Sequence, residues 1–222
     1  MTERVLVVAA HADDETLGCG GTMARHASNG DHVDVLLVAD GVTGRGDEKL
    51  EDRHASALRA CAILGANKPI FLDFADQKLD MLSFLQIVQT IEPIIERIGP
   101  TIIYTHHGGD LNLDHRIVHQ AVLTALRPMP FSTYKAIYAF EVLSSTEWAS
   151  SAVGEAFRPD HFVAIETTLS RKIEALRAYN QEMRDFPHAR SIDALQALAV
   201  LRGSSVGLLS AEGFVTLRSI AR

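Results

Sequence analysis

The chain has 222 residues, 47% of them apolar, a formal net charge of −7 and a pI near 5.8. That is enough apolar material for one substantial core and a single domain over residues 1–222, while the acidic balance argues against a nucleic-acid partner. Cys19 and Cys61 form no CxxC pair, which argues against a thiolate zinc site and fits a reducing cytoplasm, and no apolar run approaches the roughly 18 residues of a membrane span.

Val5-Leu6-Val7-Val8-Ala9-Ala10 reads as a buried parallel strand, and it delivers His11-Ala12-Asp13-Asp14-Glu15 to its carboxyl end. A helix capped by Thr16 is predicted to follow, with Leu17, Met23 and Ala24 inward and a stop at Asn29-Gly30. Gly18, Gly20 and Gly21 do not spell GxGxxG and read as tight helix–sheet packing. Val33 to Val38 is a second strand, ending in the turn-rich loop 39–46 that carries Arg45. Asp47 to Leu64 is predicted to be helical, with Gly65 as its stop.

Pro69 to Phe74 reads as a third strand, and Leu82 to Ile98 has helical spacing up to Gly99-Pro100. Thr101 to Thr105 makes a fourth strand, which brings the polar run from His106 to His115 to the same sheet edge, before a helix that lasts until Pro128. Tyr134 to Val142 and Phe162 to Ile165 are later strands, followed by a helix through Leu169, Leu176 and Met183, another over Ala194 to Arg202, and an extended end around Ala211 to Phe214. Alternating strands and helices predict a Rossmann-like α/β fold: a mostly parallel sheet with helices on both faces, and antiparallel additions late in the chain.

Open α/β sheets place their ligands at the carboxyl ends of the strands. There the loops after the first and fourth strands gather His and Asp residues with the composition of a mononuclear zinc site: His11, Asp14 and His115 as ligands, a water in the fourth position, and Asp13 beside it as proton acceptor. Arg45 and Arg190 are candidates to hold a hydroxyl, phosphate or carboxylate of a substrate. Asp76 reads equally as a substrate contact or a turn residue, and His26, His32, His54 and His119 as surface or packing residues.

The run His11-Ala12-Asp13-Asp14-Glu15 resembles the His-Pro-Asp-Asp-Glu motif of the zinc-dependent N-acetylglucosamine deacetylases of the PIG-L type, also called LmbE-like, and departs from it only at Ala12. Asp114-His115 is similar to the end of that family's second motif, and Pro187 to Ser191 with Ala211 to Phe214 looks like the tail of its bacterial members. The resemblance implies zinc on His11, Asp14 and His115, Asp13 as general base, Asp114 supporting a ligand from behind, and attack of zinc-bound hydroxide on the acetamide of a small amino sugar. It also implies a propensity to self-associate.

Many members carry a histidine where this chain has Asn112, which can donate a hydrogen bond to an oxyanion but not a proton. His188 is then the first candidate for the general acid, a reprotonated Asp13 the second, and His106 and His107 weaker ones. Two further readings remain at this point: a metal-dependent hydrolase of another bond, and a sugar-binding protein that retains zinc without catalysis.

Overall fold

A computed structural model describes residues 2–43, 49–130 and 132–221. Arg45 and Asp47 lie outside them. Seven strands, β1 (Arg4–Ala9), β2 (His32–Ala39), β3 (Ile70–Phe74), β4 (Ile102–His106), β5 (Ala136–Phe140), β6 (His161–Ala164) and β7 (Ala211–Ser219), form one sheet in the order β3-β2-β1-β4-β5-β7-β6. The first five are parallel, and β7 runs antiparallel to both β5 and β6.

The unbroken apolar run of β1 follows from its place at the centre of that sheet, where both faces are covered. Val5, Val7 and Ala9 pack with Leu17 and Met23 of α1 (Asp14–Ser28), with α2 (Leu50–Leu64) and with α5 (Leu169–Arg177) and α6 (Ile192–Ser204). Leu6, Val8 and Ala10 face the opposite core, built by α3 (Phe84–Ile98) and α4 (Leu113–Ala125). Gly65 and Gly99 terminate α2 and α3 in the left-handed conformation that a side chain would strain.

The chain leaves β1 toward β2 on one side and reaches β4 on the other, which makes the carboxyl ends of β1 and β4 the switch point at which open α/β sheets bind their ligands. This switch point positions the site. The α/β fold read from the sequence is the fold observed; of the late strands only β7 runs against the others, whereas β5, expected as an antiparallel addition, continues the parallel sheet beside β4 and β6 runs in the same direction as β5.

Two elements differ from expectation. The extended end expected around Ala211 to Phe214 is a nine-residue strand, Ala211–Ser219, inserted between β5 and β6. The helix drawn through Met183 stops at Arg177, because Tyr179 turns inward to donate a hydrogen bond to Glu15 Oε1 at 2.8 Å.

Asp13, and not Thr16, is the N-cap of α1, which is itself broken at Cys19 (φ −143°, ψ 24°). The break frees the amides of Gly21 and Thr22, and both donate to the buried Glu212 carboxylate of β7, at 2.9 and 2.7 Å. Buried Lys172 of α5 donates to Glu212 Oε1 at 2.6 Å and to the Leu17 carbonyl at 2.8 Å. A carboxylate thus caps the second half of α1, where the helix dipole favours negative charge. The glycines of α1 serve packing: a Cβ at Gly18 would lie 2.2 Å from the Phe140 ring, and one at Gly21 2.8 Å from Ile165.

Candidate active site and metal centre

His11, Asp13, Asp14 and Glu15 turn off the end of β1 into α1, and all four are buried. Asp13 holds φ at 126°, a conformation that costs a non-glycine residue on the order of 1–3 kcal/mol. Four hydrogen bonds hold it there. Its amide donates to Glu15 Oε2 at 2.9 Å, its carbonyl accepts from Thr16 and Leu17 at 3.0 and 2.8 Å, and Arg190 Nη1 donates to its Oδ2 at 2.7 Å. Glu15 therefore anchors both the loop and the helix start.

His11 Nδ1 and His115 Nε2 each lie 3.1 Å from Asp14 Oδ2, and the three ligand atoms fall within 4.8 Å of one another. Asp14 Oδ1 is buried and accepts no hydrogen bond. Two imidazole nitrogens and one carboxylate oxygen are a donor set for a tetrahedral divalent metal that keeps one position open. The far nitrogen of each imidazole is backed by carboxylate, as metal-bound histidines require. His115 Nδ1 is 3.1 Å from Asp110 Oδ1, while His11 Nε2 is 3.0 Å from Asp76 Oδ1 and 3.2 Å from Asp114 Oδ2. Asp76, Asp114 and His11 form a second conceivable ligand group, but Asp114 already accepts from the amides of Gln77 and Leu79 at 2.9 and 3.3 Å, which makes it a support for His11 and for the loop after β3.

The electrostatics agree. Burial works against a charged His115, yet the Asp14 charge and the hydrogen bonds to Asp110 and Asp14 raise it to about 9. Burial likewise opposes charge on His11, and hydrogen bonds to Asp114, Asp14 and Asp76 raise it well above the usual histidine value. Burial pushes Asp110 up, but the hydrogen bond and charge of His115 and the Ser145 and Thr146 hydroxyls bring it to about 2. Two imidazoles set among four aspartates favour bound positive charge, which either protons or one dication can supply. Burial raises the Asp13 carboxyl, Arg190 opposes that shift and Asp14 adds to it.

The sequence-predicted residues thus divide. His11, Asp13, Asp14, Asp114 and His115 come together, and Arg190 joins them by contacting Asp13. Asn112 is the N-cap of α4: its Oδ1 accepts from the Asp114 amide at 2.9 Å, leaving the side-chain amide nitrogen as the donor it can offer. His188 is exposed, with Nδ1 accepting from the Arg190 amide at 3.0 Å and its ring edge-on to Trp148.

His106, stacked on the His115 ring at 3.9 Å, and His107 have hydrogen-bond partners of their own. His106 Nε2 accepts from the Ala10 amide at 2.8 Å, and burial with the His115 charge holds its imidazole well below the usual value, so it is neutral. His107 Nε2 pairs with the Glu155 carbonyl at 2.8 Å.

Asp110 and the His11 contact of Asp76 are absent from the sequence reading. Asp110 lies five residues before His115, in the loop that leads into α4, and that proximity of a carboxylate to a candidate ligand is the available signal. Asp110→Ala is expected to weaken divalent-metal affinity by about 10- to 100-fold, measured by competition with a chelating dye. Unchanged affinity would remove Asp110 from this role.

Comparison with known proteins decides the family: the profile described as PIG-L, GlcNAc-PI de-N-acetylase, matches residues 6–126, more than half of the chain and all three candidate metal ligands. The chain belongs to the PIG-L family. An Escherichia coli relative named "Uncharacterized deacetylase YaiS" is 31% identical over 79% of this PIG-L chain and 89% of its own length. A Bacillus cereus relative named "Probable N-acetyl-alpha-D-glucosaminyl L-malate deacetylase 2" is 28% identical over 86% of this chain and 90% of its own.

The crystal structure of the conserved protein TT1542 from Thermus thermophilus superposes with a TM-score of 0.81 at 21% identity, covering 100% of this chain and 97% of that one, and so shares the fold. Membership bears out the resemblance and the enzyme class: the PIG-L chain is a deacetylase, a hydrolase of an amide bond. Among the described residues no helix is long and apolar enough to cross a membrane.

Proposed function

We propose that the chain removes the N-acetyl group from an N-acetylglucosamine-type amino sugar or its conjugate, with one zinc ion held by His11, Asp14 and His115. The observation that carries this reading is the convergence of two carboxylate-backed imidazoles on the Asp14 carboxylate, beside an ionisable Asp13 that is not needed as a ligand. The names of the Bacillus cereus relative and of the matching family support the sugar class. Bound there, zinc supplies a Lewis acid that polarises the acetamide carbonyl and lowers the pKa of water to about 7.

Asp13 handles the proton. Its Oδ1 accepts a proton from the attacking water as the water oxygen bonds to the carbonyl carbon. As the carbon–nitrogen bond breaks, the same carboxyl returns that proton to the leaving amine, giving acetate and free amino sugar and restoring the carboxylate. The raised Asp13 carboxyl suits both halves of this cycle. His188 is exposed and directed onto Trp148, so the acid role falls to Asp13. The Asn112 side-chain amide, at the positive end of α4, is the donor for the developing oxyanion. Asp110 and Asp114 fix the orientation of the two imidazoles. The buried, unpaired Cys19 and Cys61 fit the reducing cytoplasm.

The test is metal analysis of purified protein combined with acetate release from N-acetylglucosamine, its 1-O-conjugates and N,N'-diacetylchitobiose. Stoichiometric zinc with acetate release from at least one of them is expected. Zinc without acetate release from any would leave the sugar-binding reading in place, and protein that retains no metal would overturn the ligand assignment.

A further inference from the structure

Among the described residues the Arg190 guanidinium contacts Asp13 Oδ2 through Nη1 at 2.7 Å, Glu182 Oε2 through Nη1 at 2.9 Å, and Ser144 Oγ through Nε at 2.6 Å. Glu182 is buried and its other oxygen accepts from Arg53 Nη1 at 2.8 Å, and Arg53 is itself buried in α2. Charges therefore alternate from α2 to the active-site loop: Arg53, Glu182, Arg190, Asp13. Of the two Asp13 oxygens, Oδ2 is taken by Arg190, while Oδ1 is buried and accepts no hydrogen bond.

We infer that Arg190 is a positioning residue for Asp13, held by Glu182 and Ser144, which fixes Oδ1 as the oxygen that meets the reacting water. The inference rests on the deacetylase reading of Asp13 above. It reassigns Arg190, expected from the sequence to grip substrate, to the carboxylate that moves the proton. Carboxylates rotate freely about their last bond unless both oxygens are distinguished, and a strained backbone alone does not choose between them. A guanidinium locked by two further acceptors does, since its donors have fixed directions.

The zinc-loaded enzyme is compared with its Arg190→Ala, Arg190→Lys, Glu182→Gln and Ser144→Ala variants, each checked for folding by circular dichroism and for metal content. With N-acetylglucosamine or the best conjugate as substrate, Arg190→Ala is expected to lower kcat by about 10- to 100-fold, KM staying within about twofold. Arg190→Lys recovers part of that loss. Ser144→Ala and Glu182→Gln lower kcat less, again with KM held, and keep the inference testable if Arg190→Ala fails to fold.

Crystal structures of the variants supply a readout that needs no activity: the Asp13 carboxylate is expected to rotate in Arg190→Ala and to be retained in Arg190→Lys. A raised KM with unchanged kcat overturns the inference and returns Arg190 to substrate binding. An Asp13 carboxylate that keeps its orientation without Arg190 also overturns it. If the wild-type protein releases no acetate, the deacetylase reading fails, and the crystal structures alone decide whether Arg190 orients Asp13.

Discussion

Asp13→Asn is expected to lower acetate release by about 10²- to 10⁴-fold while the metal content stays at the wild-type level. The exchange keeps the size of the side chain and an oxygen for Arg190, but removes the group that can take and return a proton. Because Asp13 is not among the three ligand residues, zinc should be held as before by His11, Asp14 and His115. The measurement pairs steady-state acetate release with metal quantification on the same preparation. A variant that keeps more than about a tenth of the activity with zinc in place would show that the base lies elsewhere.

Glu212→Ala is expected to destabilise the fold by about 3–5 kcal/mol, read by urea denaturation followed through circular dichroism. Removing the carboxylate takes the anionic partner from the buried Lys172 ammonium, which keeps its contact with the Leu17 carbonyl, and strips the Gly21 and Thr22 amides of their acceptors. Glu212→Gln should cost less, since the amide oxygen still accepts one of these hydrogen bonds, although the buried charge is no longer matched. A loss below about 1 kcal/mol for the alanine variant would mean that water or a neighbour replaces the carboxylate at little cost.

What the sequence reveals depends on how local each signal is. The apolar run of β1 and the polar cluster that follows are contiguous, so both the strand and the pair His11 and Asp14 are legible. His115 is legible because a second strand end carries its own cluster. Glu15 as an anchor is also accessible, being two residues from the amide that it binds.

Arg190 reads as a substrate contact, and its partner Asp13 is not legible, because nothing local says that a residue 177 positions away folds back onto Asp13. Asp76 reads equally as a substrate contact or a turn residue, and its contact with His11 exists only once the loop after β3 is laid beside the loop after β1. The pattern of Ala211 to Ser219 marks an extended segment, but the choice of β5 and β6 as neighbours belongs to the whole sheet and is not written in those nine residues. The early end of α5 likewise follows from the distant carboxylate that draws Tyr179 inward.

The capping of α1 by β7 has a consequence for the order in which the protein is made. Chains emerge from the ribosome amino end first, at about 5–20 residues per second. The motif of residues 11–15 is therefore synthesised well before its distant partner: the helix behind it receives its carboxylate only from Glu212, some 190 positions later. Through that interval β6 also lacks the strand that joins it to β5. The helix behind the candidate active site is thus completed by a segment translated some 190 residues after it, which couples its final packing to the synthesis of β7.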